Sequence, residues 1–507
     1  MPSMATASDL LLIRADGSPR IGTGHVMRCL ALAQGWQCAG GRVIFAHAET
    51  TPAVEQRLRR EGFEMVRLDL IRGSLQDATR TAELARERGA SVVADGYCFD
   101  TAWQREIKDS GLWLFLWDDY GHARHYYADL ILNQNLHASP RMYSCREPHT
   151  RLMLGTRYVQ LRRQFRDWSD LRREIPAVAR KVLVTLGGSD PSNATTKVIR
   201  ALARLRDVQA VVVVGGSNPE LASLQSTVLS MSGQACPIRL LVDPPDMPEL
   251  MAWADVAVSA GGSTAWELAF MGLPSLMIVL SKNQVDTAAA LDCAGVSVSL
   301  GGHQQLSVQR LATALESVLN DLPLRERMNR RGRQLVDGLG NSRVVTRLRA
   351  PRLTLRRAAT QDCRLIFEWA NDPEVRAASF SPQTISWESH MQWYSAKLRD
   401  PNFLFYVATN ENGAPLGQVR FEMTGSEGVI SLSLAPDARG KRLGPALIAQ
   451  GTEQFFLQSD ANLVHAYIRT DNPVSAIAFQ KADFTDAGAA DIGGHRAQHF
   501  VFHRETT

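Results

Sequence analysis

The chain lacks most features that mark secreted, membrane-bound or nucleic-acid-binding proteins. Its 507 residues include only seven cysteines, none in a Cys-x-x-Cys pair. An odd, scattered set fits a reducing compartment better than a disulfide framework. The N-terminal apolar run, 10–13, stops at Arg14 and is too short for the core of a signal sequence. No run approaches the ~20 apolar residues that a membrane-spanning helix needs, so a cytoplasmic protein without a membrane partner is expected. Charge is nearly balanced. Lys and Arg number 56 against 52 Asp and Glu, a formal net charge of +4. That argues against dedicated nucleic-acid binding, which calls for a concentrated basic face. The Arg pairs at 162–163, 172–173 and 330–331 read as solvated faces.

What is present is ordinary for a soluble globular protein, with 45% hydrophobic and 21% charged residues. The length suggests about three domains. Short apolar runs alternate with helical patterns over the first 300 residues. One set lies at 10–13, 42–45, 91–94, 113–117 and 130–132, and a second at 181–186, 210–214, 238–242, 256–258 and 275–279. Nearly pure apolar strands are covered on both faces, which predicts parallel sheets flanked by helices. The Arg-, Gln- and Asp-rich stretch 155–178 reads as a crossing between two lobes, and 304–346 as helices. After Pro351 the βα alternation ends. The expected division is 1–155, 156–346 and 352–507, an α/β pair of Rossmann-like lobes followed by a smaller mixed domain.

Two glycine turns carry chemistry. The first, Ile21-Gly22-Thr23-Gly24-His25-Val26-Met27-Arg28, follows the strand that ends near Arg14-Ala15-Asp16-Gly17. Ligands of open α/β sheets bind at such strand ends. Met27 breaks the dinucleotide fingerprint, which needs glycine or alanine there. His25 is left at a helix start, where a positive imidazolium is disfavoured, which suits a general base. A histidine that only packs the turn is the other reading. In the second turn, a strand near 254–259 runs into Ala260-Gly261-Gly262-Ser263-Thr264, with Glu267 one turn into the helix. Free amides and small glycines there suit a diphosphate, and Glu267 suits the ribose hydroxyls. Leu186-Gly187-Gly188-Ser189-Asp190 opens the same lobe with a further cradle.

These motifs, with Asp95-Gly96-Tyr97, Asp118-Asp119, Leu132-Asn133-Gln134-Asn135 and Asn283-Gln284, resemble the UDP-2,4-diacetamido-2,4,6-trideoxy-β-L-altropyranose hydrolases of pseudaminic (nonulosonic) acid synthesis. The resemblance spans about 9–345. It implies a glycosyltransferase-B-like (GT-B-like) fold and a UDP-amino sugar as substrate. It also implies His25 as the base that activates water, Tyr97 at the catalytic sugar site, and substrate contacts from Arg14, Asp16 and Gly24. Gly187, Gly188, Ser189, Gly262, Ser263, Thr264 and Glu267 would hold UDP, with Asn283 and Gln284 on the sugar or phosphates. The resemblance implies no metal, and Asp118-Asp119 reads as a hydrogen-bonding pair.

In the C-terminal domain, a strand at 430–434 ends in Leu434 and leads to Arg439-Gly440-Lys441-Arg442-Leu443-Gly444-Pro445-Ala446 at a helix start. Successive amides with basic residues suit a pyrophosphate. Asp471-Asn472-Pro473 starts another helix, which contains Phe479. The pair resembles the GNAT acetyltransferases, which implies acetyl-CoA as cosubstrate, held by the loop from Leu434 to Ala446 and by Asn472 and Phe479. Trp369-Ala370-Asn371-Asp372-Pro373-Glu374-Val375-Arg376, with His390-Met391-Gln392-Trp393, resembles the branch that acetylates UDP-4-amino sugars. Two departures stand out. Arg442 replaces the first glycine of the usual cradle, and Phe479 stands where many members carry an acidic Tyr. The expected function is a hydrolase fused to an acetyltransferase that acts one step earlier. The competing readings are a glycosyltransferase using a UDP-amino sugar, a hydrolase with an inactive GNAT domain, and a non-catalytic binder.

Overall fold

Leu11, Leu12 and Ile13 have no solvent exposure, so the strand they form is covered on both faces. In the computed structural model, which describes residues 8–504 apart from 189, 191, 217, 231–235, 350–352, 411 and 442, that strand lies in the interior of a parallel sheet. The strands of this sheet are β1 Leu10–Ala15, β2 Arg42–His47, β3 Glu64–Arg67, β4 Ser91–Asp95, β5 Leu114–Trp117, β6 Leu130–Asn133 and β7 Arg151–Leu154. Their order is β3-β2-β1-β4-β5-β6-β7. The direction of winding reverses between β1 and β4, so a crevice opens beyond their carboxyl ends. The first glycine turn and the Asp95-Gly96-Tyr97 motif both lie there.

A second parallel sheet contains β8 Lys181–Thr185, β9 Gln209–Val214, β10 Ile238–Val242, β11 Val256–Ala260, β12 Ser275–Val279 and β13 Ser297–Gly302. Its order is β10-β9-β8-β11-β12-β13. The reversal falls between β8 and β11, which are followed by Gly187-Gly188 and Gly261-Gly262 respectively. Both second-lobe glycine turns therefore flank one switch point. The 155–178 stretch between the sheets is irregular apart from short 3-10 turns at Thr156–Tyr158 and Arg163–Trp168. Helices Val308–Asn320, Leu322–Leu335 and Gly340–Arg349 follow β13. The two sheets belong to one compact unit, which ends at Val345.

The second unit begins at Thr346. Its sheet consists of β14 Thr354–Arg357, β15 Phe403–Thr409, β16 Pro415–Thr424, β17 Glu427–Leu434, β18 Leu463–Arg469, β19 Thr485–Ile492 and β20 His495–His503, in the order β14-β15-β16-β17-β18-β20-β19. Every pairing is antiparallel except β17 with β18. Those two stay in register for only three pairs, ending at Val429 and His465. Beyond that point the strands part and leave a gap in the sheet. Helix Leu443–Gln458 covers one face. Phe455 stacks on Phe421 of β16 at 4.5 Å. Gly451 lets this helix lie close, since a Cβ there would meet Val419 at 2.9 Å. Trp393 and Tyr394, from helix Trp387–Arg399, pack on Phe403 and Phe405.

Candidate active sites

His25 is the second residue of helix Gly24–Cys38, and its ring lies against the end of β4. Its Nδ1 is 2.6 Å from Oδ1 of Asp95, which is fully buried. A carboxylate only accepts, so Nδ1 carries the proton and Nε2 is left as a basic acceptor. Arg28, one helical turn on, grips the same carboxylate through Nε (2.6 Å) and Nη2 (2.7 Å). Its Nη1 reaches Asp119 at 2.7 and 2.9 Å. Burial pushes the Asp95 carboxyl up, but the charges of Arg28 and His25 outweigh it and hold it below the usual range. Burial likewise raises Asp119, and Arg28 with Tyr97 drives it further down.

Tyr97 donates its hydroxyl to Asp119 at 2.6 Å and stands edge-on to His25 at 4.9 Å between centroids. Burial and the Asp119 charge push its phenol far above the ordinary value. Tyr97 is therefore a fixed proton donor, not a base. Asn283 of the second lobe donates to the same hydroxyl at 3.0 Å. The two lobes also meet through their glycine turns. A Cβ on Gly188 would lie 2.6 Å from Thr23 Oγ1, and one on Gly24 would lie 4.0 Å from Ser263 Oγ. Gly187 holds a left-handed φ of 90° at that bend. Ser263 precedes helix Thr264–Phe270 without spending its hydroxyl on a cap. Gln284 uses its Oε1 on the amide of Leu280, at 3.0 Å, and its Nε2 lies beside Gly262. Ser189 lies outside the described residues.

Asp118 and Asp119 are engaged by donors. Asp118 accepts from Tyr126 and from the amides of Tyr120 and Gly121. Asp119 also accepts from Asn135 at 2.9 Å.

Three expected site residues already have charged protein partners. Arg14 was expected to contact substrate. It is fully buried, with its guanidinium bound to Asp77 at 2.9 and 2.8 Å and to Asp16 at 2.8 Å. Asp16 is buried beside it and accepts the amides of Ala48 and Glu49 at 2.7 and 2.9 Å. Together these residues anchor the loops behind the turn. Glu267 is not an open carboxylate. Arg162, from the inter-sheet stretch, binds its Oε1 through Nε and Nη2 at 2.9 and 2.8 Å. If the carboxylate also takes the ribose, Glu267→Ala should weaken UDP binding by about 1.5–3 kcal/mol, the worth of a hydrogen bond to a charged group. Calorimetry reads this directly, and unchanged affinity would leave Glu267 only as the partner of Arg162.

In the second unit, Arg439 is the third. Its guanidinium is already neutralised by Asp372 at 2.7 Å and Glu374 at 2.9 Å, and it touches the carbonyl of Leu434 at 3.4 Å. The basic charge expected for a phosphate thus has two carboxylate partners within the unit. Gly440 bends the loop at φ 73°, and Arg442 lies outside the described residues. Leu443, Gly444, Pro445 and Ala446 open helix Leu443–Gln458 beside the gap between β17 and β18. Asn472 caps helix Pro473–Lys481 by accepting from Ser475 N. Phe479 is buried between Phe484 and Phe500, at 5.0 and 6.4 Å. Sequence reasoning missed Asp95 as the partner of His25, and also the clamps on Arg439 and Glu267.

The acetyltransferase (GNAT) domain family matches residues 352–485, and the glycosyltransferase family 28 C-terminal domain matches 182–337. Three curated relatives align with longer stretches. An uncharacterised protein of Methanocaldococcus jannaschii is 22% identical over 81% of this chain and 82% of its own. The spore coat polysaccharide biosynthesis protein SpsG of Bacillus subtilis is 26% identical over 66% of this chain and 96% of its own. UDP-2,4-diacetamido-2,4,6-trideoxy-β-L-altropyranose hydrolase of Campylobacter jejuni is 23% identical over 57% of this chain and 98% of its own. The chain thus joins, in one polypeptide, a unit that matches the glycosyltransferase family 28 C-terminal domain and is similar to the pseudaminic acid pathway hydrolase with a stretch that matches the GNAT acetyltransferase domain.

Proposed function

We propose that the first unit hydrolyses UDP-2,4-diacetamido-2,4,6-trideoxy-β-L-altropyranose to the free sugar and UDP, and that the GNAT domain acetylates its UDP-4-amino precursor with acetyl-CoA. The observation that carries the hydrolase reading is His25, held by Asp95 so that Nε2 is its basic nitrogen. Water gives its proton to Nε2 as its oxygen attacks the anomeric carbon, and the bond to UDP breaks on the opposite side. Asp95 then steadies the imidazolium that forms, much as a buried carboxylate does in hydrolytic triads. Gly187, Gly188, Gly262, Ser263 and Thr264 take the diphosphate, and Asn283 and Tyr97 close over the sugar. UDP leaves readily once its charge is stabilised, so no strong acid is required.

The order of reactions explains the fusion. The acetylated sugar made by one domain is then the substrate of the other. No described helix is long and apolar enough to cross a membrane. We place both steps in the cytoplasm, with UDP-sugar and acetyl-CoA as the ligands. The family 28 match favours a second reading, transfer of the sugar to an acceptor. Mass spectrometry of products from the UDP-4-amino sugar plus acetyl-CoA, with UDP release assayed with and without acceptor, separates the two. Hydrolysis predicts UDP and the free diacetamido sugar without any acceptor. UDP release that depends on an acceptor would reject it.

A further inference from the structure

One face of the second unit's sheet, beside the gap between β17 and β18, carries a directed chain of side chains. His465 is the last residue of β18 in register with β17. Its Nε2 lies 3.0 Å from Oε2 of Glu427, the first residue of β17. Its Nδ1 lies 2.8 Å from Nε2 of His499 on β20. His499 pairs with Tyr467, two residues beyond the point where the strands part, and the rings stack at 4.8 Å and 14°.

The tautomers follow from the carboxylate. Glu427 only accepts, so the proton of neutral His465 sits on Nε2 and its Nδ1 accepts. His499 must then donate from Nε2, which leaves its Nδ1 unprotonated. Among the described residues that atom has no hydrogen-bond partner. The chain thus starts at a basic nitrogen on β20, across β18 from the gap, and ends at a carboxylate that is 53% exposed to solvent. Histidines paired only for packing need no such polarity.

We propose that His499 is the general base of acetyl transfer, passing the acceptor's proton through His465 to Glu427 and solvent. The inference rests on the reading that this unit acetylates an amine. The acceptor enters as an ammonium. His499 Nδ1 takes one of its protons, while the Nε2 proton of His499 moves to His465 Nδ1 and that of His465 moves to Glu427. The freed nitrogen lone pair attacks the thioester carbonyl, the C–N bond forms, and the C–S bond breaks. The second nitrogen proton ends on the departing thiolate, giving amide, free thiol and one proton in solvent.

The surroundings suit the role. Burial and the neighbouring His465 push the His499 imidazole below its ordinary value, and Asp486 of β19 opposes them. The other charged groups nearby are Glu427 on β17 and Arg469 on β18, the latter paired with Asp471 at 2.9 Å. His499 is thus neutral and ready to accept near pH 7.

The test uses the intact chain with acetyl-CoA and a UDP-4-amino-4,6-dideoxy sugar. Thiol release is followed from about pH 6 to about pH 9, and acetyl-CoA affinity is read by calorimetry. His499→Ala should lower the rate at pH 7 by about 10²-fold. The loss should shrink as rising pH deprotonates the amine in solution, and acetyl-CoA affinity should stay unchanged. His465→Asn keeps the base but cuts the chain, so it should cost about 10-fold and move the pH limb. It also serves if the first variant does not fold. A His499→Ala rate within three-fold of wild type at pH 7, or a loss independent of pH, overturns the relay while leaving acetylation intact. A wild-type chain that binds acetyl-CoA yet acetylates no UDP-amino sugar overturns both.

Discussion

His25→Asn is expected to lower UDP release from the diacetamido sugar by ~10²–10⁴, the usual contribution of a positioned general base, while UDP affinity stays within a few-fold of wild type. Asparagine keeps a polar group opposite Asp95 but offers no basic nitrogen. The effect should therefore appear in kcat and leave UDP binding, which we propose the second-lobe glycine turns make, in place. Asp95→Asn tests the same geometry from behind. It removes the only-accepting partner 2.6 Å from Nδ1, frees the other tautomer, and leaves Arg28 with Asp119 alone. A loss comparable to that of the histidine variant is expected. Steady-state release of UDP measures both. A rate for His25→Asn within a few-fold of wild type would remove the histidine from the chemistry.

The distribution of these groups shows what the sequence makes legible. Strands buried on both faces announce themselves, and nearly all of the central ones were expected. The strands that were not expected in the first unit, β3, β7 and β13, are all sheet edges. An edge strand has one side in water, so its residues mix as in Glu64-Met65-Val66-Arg67 and lose the apolar run. The two glycine turns were legible because positive φ and close approach restrict residue choice. Their carboxylate partners were harder to see. Asp95 follows the apolar run Val92-Val93-Ala94, which is a usable signal, but nothing local pairs it with a histidine 70 positions away. Parallel sheet order creates that contact, since β1 and β4 are neighbours in space and not in sequence. The Arg162–Glu267 and Arg439–Asp372 pairs likewise join segments far apart in the chain. A charged residue in a motif was expected to face a ligand, and folding had already supplied a partner from a distant segment.

Arg14 is where this difference has the largest consequence for stability. A substrate contact would make Arg14→Ala a binding defect. A buried anchor makes it a folding defect, and the latter is expected, at about 3–5 kcal/mol by urea denaturation near neutral pH. The cost arises because the substitution strands two buried carboxylates. Asp77 loses both oxygen contacts with the guanidinium, and Asp16 loses its counter-charge while still buried. Arg14→Lys keeps a charge without the two-pronged geometry and should lose less. The pH dependence gives a sharper check. In the wild type, burial raises Asp16, but Arg14 and the backbone amides outweigh it and hold the carboxyl below the usual range. A depressed folded value means that its contribution is present above the unfolded pKa of ~3.9 and is lost as pH falls through the folded one. Without Arg14 the burial effect dominates and the folded value rises. The variant then loses stability as pH climbs above ~4, because ionising an unpaired buried acid is costly. The gap between wild type and Arg14→Ala should therefore be wide at pH 7 and narrow toward pH 4. A gap that is constant with pH would mean that lost packing against Phe99, whose ring lies 5.2 Å from the guanidinium carbon, outweighs the charge.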